Sequence, residues 1–376
     1  VGGYQGSPIS HLMDVLADAS DYMGELGVHF ESSASEATAA AMLSASVMYP
    51  IRGAVTWKST AGTNVASDAL SNLSSGGVNG GAVIIIGEDY GEGSSIMQER
   101  SHPFAMKAQM WLLDPRPNLP SIVKMVSDGF DLSEASNTPV MLMVRIRSCH
   151  VTGSFQTRDN QRPQLSVRDA LSNPRSDFAR VVLPPMSFAH EQDKVKNRWP
   201  AAEKFIIDRG LNEQFGPKDA NFGIVVQGGM YNGVVRALQR LGLADIYGAS
   251  QVPIYVLNVT YPLVPREVRA FCAGRQAVLV VGGLSAYNLR SGFSDYLKVR
   301  DEEQLMRLAR EVDNKEIGAE EFAFQAETLI SQFPELQAIS WIDARRTVQA
   351  SYASPSAPAA SLRVQGSTLT TGDTDG

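Results

Sequence analysis

The sequence predicts an α/β chain of two domains, each a parallel sheet covered by helices, followed by a helical, partly disordered tail. Short apolar runs alternate with stretches of helical periodicity as far as residue 281. One of them, Ala82-Val83-Ile84-Ile85-Ile86, is continuously apolar, as a strand buried on both faces must be. The runs end in Gly, Ser, Thr or acidic residues that lead into the next helix, the connection a parallel sheet needs.

In chain order, Gly2-Gly3-Tyr4-Gln5-Gly6-Ser7-Pro8 reads as the end of a strand and its turn. Pro8 suits the start of a helix over 10–26 carrying Leu12, Val15, Leu16, Ala19 and Met23. Ser33 or Ser35 can cap a second helix that runs to residue 48 through Ala37, Ala39, Ala40, Ala41 and Ala45. These small side chains permit close approach of a sheet, a subunit or a flat ligand. Glu36 falls in the first turn, where the helix dipole favours an ionised carboxylate. That position suits a hydrogen-bond acceptor or base, and it is equally what helix stability alone would select.

Ala54-Val55-Thr56-Trp57 reads as a strand, residues 58–64 as a polar turn, and 65–73 as a helix. The strand at 82–86 ends on Gly87-Glu88-Asp89-Tyr90. Met110-Trp111-Leu112-Leu113 is a further strand, 119–133 a helix, and 139–147 a long strand on which Arg145 and Arg147 share a face, to pair with acids or a partner. Cys149 beside His150 could suggest a nucleophile or a metal pair, but neighbours on a strand point to opposite faces.

Residues 152–197 are rich in Gln, Arg, Asn, Asp and Pro and read as a connector, with His190, Glu191 and Asp193 as a solvated cluster. A second α/β unit follows, with strands at 222–226, 252–259 and 277–281 and helices at 201–210, 231–241 and after Pro265. Gln227-Gly228-Gly229 lacks dinucleotide-fingerprint spacing and a Walker lysine, so close packing explains its glycines best. The expected boundaries are 1–150, a connector at 151–200, 201–283, a helical segment at 284–350 and a disordered tail at 351–376.

A formal charge of -7, with 33 basic residues spread along the chain, argues against a nucleic-acid partner. Two cysteines are too few to ligate an iron–sulfur cluster from this chain alone, and no clear metal site is evident. No apolar run reaches the roughly 18 residues of a membrane span, and the first residues carry no signal pattern, so a cytoplasmic chain is expected.

Several stretches together resemble a known family. They are Gly3-Tyr4-Gln5-Gly6-Ser7-Pro8, Glu36-Ala37-Thr38-Ala39-Ala40, Thr63-Asn64-Val65-Ala66-Ser67-Asp68, Gly87-Glu88-Asp89-Tyr90 with Ser94-Ser95 and Gln98-Glu99, Gly223-Ile224-Val225-Val226-Gln227-Gly228-Gly229 and Thr260-Tyr261-Pro262-Leu263. In this order they resemble the alpha subunit of indolepyruvate ferredoxin oxidoreductase, among the thiamine-diphosphate-dependent 2-oxoacid:acceptor oxidoreductases. The resemblance implies a thiamine-diphosphate-binding-fold pyrimidine domain in 1–150, N-terminally truncated, and a transketolase C-terminal-like domain in 201–283.

The implied activity is of EC 1.2.7 type: oxidative decarboxylation of a 2-oxo acid, indolepyruvate or another aryl pyruvate, to an acyl-CoA, with electrons passed to ferredoxin. Glu36 would hydrogen-bond the aminopyrimidine of thiamine diphosphate and favour the tautomer that takes the thiazolium proton. Ser7 would lie near the substrate carboxylate, and Ser59, Thr60, Asn64, Ser94 and Gln98 would line the cofactor interface. Mg²⁺ and the diphosphate would be held by a domain or subunit not present here, and iron–sulfur clusters would sit only on partner domains or subunits. The implied partners are the 2-oxo acid, coenzyme A, ferredoxin and that diphosphate-binding domain, in an oligomer. The alternative is a non-catalytic α/β assembly or binding module derived from the same fold.

Overall fold

The computed structural model describes residues 1–89, 100–160, 165–282, 318–332, 338–342 and 347–353. The described residues form two units, one up to residue 282 and one from residue 318.

In the first unit the strands are β1 (Gly2–Gly3), β2 (Glu31–Ser32), β3 (Gly53–Lys58), β4 (Ala82–Glu88), β5 (Trp111–Leu113), β6 (Val140–Arg145), β7 (Glu213–Phe215), β8 (Phe222–Gln227), β9 (Ile254–Leu257), β10 (Val259–Tyr261) and β11 (Ala277–Val281). Seven make one sheet in the order β10-β5-β6-β4-β3-β1-β2, parallel throughout except where β10 runs antiparallel to β5. The other four make a second sheet, β11-β8-β9-β7, parallel except for β7. The expected α/β class is therefore observed.

Alternation along the central strands fills a core on each face of the first sheet. Ile84 and Ile86 of β4 join Val55, Trp57, Met141 and Met143 on one side, under Ala39, Ala40, Ala66 and Leu70 of the helices Glu36–Met42 and Ser59–Gly76. Val83 joins Trp111, Leu113, Val140 and Leu142 on the other, against Leu132 of the helix Leu119–Ser136 and Ala202 and Ile206 of Trp199–Arg209. The alanines expected to permit close approach do so: Ala39 and Ala40 are buried where their helix meets β3 and the helix Ser59–Gly76.

Several local expectations are revised. Residues 10–26 form two helices, Ser10–Asp18 and Ser20–Glu25, and the Ala-rich stretch divides into Glu36–Met42 and Ala45–Met48. The stretch expected as a polar turn over 58–64 is already helix, because Ser59–Gly76 starts directly after β3. β6 ends at Arg145 and the chain turns into the short helix Ile146–Cys149, so Arg147 is not on the strand. The run at 252–259 is cut at Asn258: β9 belongs to the second sheet and β10 to the first. Within 152–197 lie the helices Val167–Ser172 and Met186–Asp193. His190 is buried there with Nε2 3.3 Å from the Val181 carbonyl, rather than solvated.

In the second unit, the helix Ala319–Gln332 packs on an antiparallel hairpin of β12 (Ala338–Ile342) and β13 (Val348–Ala353). Phe322, Ala326, Leu329, Ile330, Ile339 and Ala350 form its core. The tail is thus not wholly helical up to 350, and residues 351–353 are strand. The alternation of Val348 and Ala350 with Gln349 and Ser351 is a period of two that fits a pleated strand. The rest of the tail, 354–376, and residues 284–317 of the expected helical segment lie outside the described residues.

Candidate functional site

Parallel strands put all their carboxyl ends on one edge, and a sheet of this kind binds ligands beyond that edge. In the order β4-β3-β1-β2 the chain leaves the sheet at Glu88-Asp89, Lys58-Ser59, Gly6-Ser7 and Ser35-Glu36. Four of the segments singled out from sequence are therefore neighbours by topology alone.

Glu36 is the first residue of its helix. Ser35, in extended conformation, is the cap: its Oγ accepts from the Thr38 N–H at 3.3 Å and its own N–H donates to Thr38 Oγ1 at 3.0 Å. Glu36 is 8% exposed. Among the described residues its carboxylate has no hydrogen bond and no ion pair, so its acceptor capacity is unspent inside a largely closed site. Its stem lies against Gly62: a methyl at Gly62 would come within 2.9 Å of Glu36 Cγ and 2.5 Å of Trp57 Cδ1. Trp57 is in turn anchored through Nε1, which donates to Thr63 Oγ1 at 3.2 Å.

Ser59 and Thr60 open the helix after β3, and both are buried. Ser59 Oγ is 2.5 Å from Ser101 Oγ, while Thr60 Oγ1 has no partner. Asn64 stands apart from them on the exposed face, its amide donating to the Thr60 carbonyl at 2.7 Å. Ser7 is exposed in the turn after β1. That turn is seated on β3, since a methyl at Gly6 would meet Lys58 Cβ at 2.7 Å. Ser94 and Gln98 lie outside the described residues, as does Ser95.

The sequence reading assigned no site role to the charged residues Lys58, Glu88 and Asp89 that close the apolar strands, and expected of Arg145 only a pairing with acids or a partner. Lys58 Nζ contacts Asp89 Oδ2 at 2.7 Å, and the Asp89 side chain is 1% exposed. Glu88 is buried, accepts from the Ser101 N–H at 3.1 Å through Oε1, and has no partner for Oε2. Burial pushes its pKa up to about 7 against the pull of Arg145. His102 is buried too, and burial pushes it down to about 4, so it is neutral at physiological pH. With Gln227 Nε2 donating to His102 Nε2 at 2.9 Å, the ring proton falls on Nδ1, which has no partner. The signal available in sequence was a charged residue closing each of three buried strands: Lys58, Glu88 and Arg145.

Arg145 ties the two sheets together. It donates to Asp114 Oδ2 at 2.7 Å and to Gln227 Oε1 at 3.1 Å, and Asp114 Oδ1 accepts from the Gly229 N–H at 3.2 Å. A methyl at Gly228 would lie 1.9 Å from the Asp114 carbonyl oxygen, and one at Gly229 2.4 Å from Arg145 Nε. The two glycines are thus explained by close packing, as expected, and Arg145 by its acid. Cys149 is no activated nucleophile: burial pushes its thiol up to about 12. Among the described residues no group of three or more His, Cys, Asp or Glu could hold a metal ion, and no helix is long and apolar enough to cross a membrane.

No family model matches the chain. It is similar to the indolepyruvate oxidoreductase subunit IorA of Methanothermobacter marburgensis, at 29% identity over 74% of this chain and 42% of the relative. The same subunit of Methanothermobacter thermautotrophicus matches at 29% identity over 74% of this chain and 42% of the relative, and that of Pyrococcus abyssi at 27% over 74% and 41%. The chain therefore spans about two fifths of the length of the curated relatives it matches. Among solved structures, a 2-oxoglutarate:ferredoxin oxidoreductase from Magnetococcus marinus, with 2-oxoglutarate, coenzyme A and succinyl-CoA bound, shares its fold. The TM-score is 0.57 at 17% identity, covering 78% of this chain and 56% of that one.

Proposed function

We propose that the chain is the pyrimidine-side part of a 2-oxoacid:ferredoxin oxidoreductase, an enzyme that oxidatively decarboxylates a 2-oxo acid to an acyl-CoA and passes the electrons to ferredoxin. In this reading residues 1–150 are the pyrimidine domain and 201–283 the transketolase C-terminal-like domain. Support comes from the likeness to the IorA subunits and from the shared fold. The observation that carries the assignment of a site is Glu36, a nearly buried first-turn carboxylate with no partner among the described residues, at the carboxyl edge of the sheet.

Glu36 fits thiamine diphosphate because a carboxylate with spare acceptor capacity is what a protonated ring nitrogen of an aminopyrimidine requires. When bound, that cofactor supplies a carbon nucleophile and an electron sink for the 2-oxo acid. Glu36 would hold the pyrimidine and stabilise a proton on its ring nitrogen. Thr60 and Ser59 lie in the wall at the end of β3, with the Thr60 hydroxyl still to be satisfied. Ser7, exposed after β1, would face the substrate. Ser94, Gln98 and Asn64 remain in the proposal as cofactor-facing residues, Asn64 being exposed with its amide on the Thr60 carbonyl. A diphosphate-binding domain or subunit carrying Mg²⁺ completes the site, with an aryl pyruvate such as indolepyruvate as substrate, and iron–sulfur clusters belong to partner domains.

Calorimetric titration of thiamine diphosphate with Mg²⁺ into the chain, alone and mixed with a diphosphate-domain partner, tests this directly. Binding in the mixture, together with 2-oxo-acid oxidation lost in Glu36→Gln, supports the reading. Absence of binding in both conditions, or activity indifferent to Glu36, would leave a non-catalytic assembly module.

A further inference from the structure

Arg145 stands between two acids. In the order β5-β6-β4 it closes the middle strand, with Asp114 directly after β5 on one flank and Glu88 closing β4 on the other. Glu88 is its register partner, on a strand about 4.8 Å away. Alternation puts both on the face that carries Ile84, Ile86, Met141 and Met143, so one guanidinium faces two carboxyl groups. Asp114 Oδ2 accepts from Arg145 at 2.7 Å. Glu88 is 2% exposed, takes the Ser101 N–H at 3.1 Å through Oε1, and has no partner for Oε2.

The neighbouring charges do not supply a second cation of equal weight. Burial raises Glu88 to about 7 against the pull of Arg145, the Ser101 N–H and, more weakly, Arg100, and Asp114 adds to the rise. His102, next to Ser101, is neutral at physiological pH. On β3, Lys58 lies on the opposite face from Trp57 and is paired with Asp89 at 2.7 Å. In the helix Ile146–Cys149, Arg147 is exposed and burial keeps the Cys149 thiol protonated.

The guanidinium also carries the joint between the sheets. Arg145 donates to Gln227 Oε1 at 3.1 Å, Gln227 Nε2 donates to His102 Nε2 at 2.9 Å, and Asp114 Oδ1 accepts from the Gly229 N–H at 3.2 Å. Gly229 leaves no room for a methyl group against Arg145 Nε. The end of β8, the turn after it and the start of the helix His102–Ala108 therefore all depend on where this one group sits.

We propose that Glu88 is a proton-operated switch on the joint between the two sheets. Carrying its proton, Glu88 leaves the guanidinium to Asp114 and Gln227. With the proton lost to solvent, two buried carboxylates compete for one cation, Arg145 is drawn towards β4, and the contacts of Gln227 and Gly229 loosen. The closed joint keeps a proton that an open one gives up, so closure weakens as pH rises towards and through neutrality. The device involves neither Glu36 nor a cofactor.

The test is amide hydrogen exchange of the full chain at pH 6 and pH 8 for wild type, Glu88→Gln and Asp114→Asn. Glutamine at 88 keeps an acceptor for the Ser101 N–H and cannot ionise, and asparagine at 114 leaves one carboxylate for the guanidinium. Comparing wild type with a variant at the same pH cancels the intrinsic exchange rate. For amides of 222–230 and 101–108, the ratio of wild-type to Glu88→Gln exchange is expected to be about tenfold larger at pH 8 than at pH 6. Asp114→Asn should likewise lose the wild-type pH dependence, which keeps the proposal testable if Glu88→Gln does not fold. A ratio that is the same at both pH values overturns the switch, as does a folded Asp114→Asn with the wild-type pH dependence. A rise of equal size in 36–42, on the far side of the first sheet, would show general destabilisation and overturns it too.

Discussion

Gly62 and Glu36 meet with no room for a methyl group between them, since a Cβ on Gly62 would stand 2.9 Å from Glu36 Cγ and closer still to the Trp57 ring. Gly62→Ala must therefore move the carboxylate, the indole or the helix. The expected cost is about 1 to 3 kcal/mol in a urea titration, as for other overpacked sites. In the reconstituted enzyme the variant should also bind thiamine diphosphate more weakly. Unchanged stability and unchanged cofactor affinity together would show that Glu36 is not held in the way described.

Glu36→Gln separates function from folding. Its carboxylate has no partner among the described residues to lose, so stability should fall only by the dipole contribution, about 0.3 to 1 kcal/mol. Turnover in the reconstituted enzyme should drop by about 100-fold or more, the usual size for loss of a positioned proton-handling group. A large fall in Tm would instead identify Glu36 as a structural residue.

Glu88 and His102 give opposing pH dependences. Glu88, raised to about 7 by burial, keeps a proton in the folded protein that the unfolded chain has released, so its contribution falls as pH rises from about 4.5 to 7. His102, lowered to about 4, stays neutral in the folded protein where the unfolded chain is protonated, so its contribution falls as pH drops from about 6.5 to 4. Between about 4.5 and 6.5 the two offset one another. Glu88→Gln keeps an acceptor for the Ser101 N–H and removes the first effect. The gap in unfolding free energy between the variant and wild type should grow in the variant's favour by about 3 kcal/mol from pH 4.5 to pH 8. Urea titrations at both pH values read this, and an equal gap at both would contradict it.

The Arg145–Asp114 pair is buried on both sides and joined to Gln227 and the Gly229 N–H. Arg145→Met leaves Asp114 as a buried unpaired charge and should cost about 3 to 5 kcal/mol. Combining it with Asp114→Asn should recover part of that loss, a coupling that a double-mutant cycle measures in denaturant. Strict additivity of the two substitutions would show that the pair is not the joint between the sheets.

The strands were the most legible feature because a parallel strand buried on both faces must be apolar, and Ala82 to Ile86 could be little else. Glu36 was legible through the cap before it and the alanines behind it. The start of the helix at Ser59 was not: Ser, Thr, Gly and Asn have weak helix propensity, and only packing of Gly62 and Ala66 against Trp57 and the neighbouring helix selects helix there. Lys58, Glu88 and Asp89 were given no site role because a charge at the end of a strand usually faces water, whereas Arg145 was expected to pair with an acid or a partner. Their burial arises from loops and a second sheet distant in sequence, which local periodicity does not register.

The cut in the apolar run at Asn258 bears on how the protein can be divided. Asn258 donates to the Leu211 carbonyl and to Glu213, accepts from the Arg116 N–H, and hands the chain from β9 in one sheet to β10 in the other. A fragment ending near residue 150 would carry β5 with its outer hydrogen-bonding edge bare and would strip from Trp111 and Leu113 the cover of Ala202, Ile206, Val259 and Val264. Such an edge recruits strands from other molecules, so the fragment is expected to self-associate, and supplying 199–282 in trans should suppress this by completing the sheet.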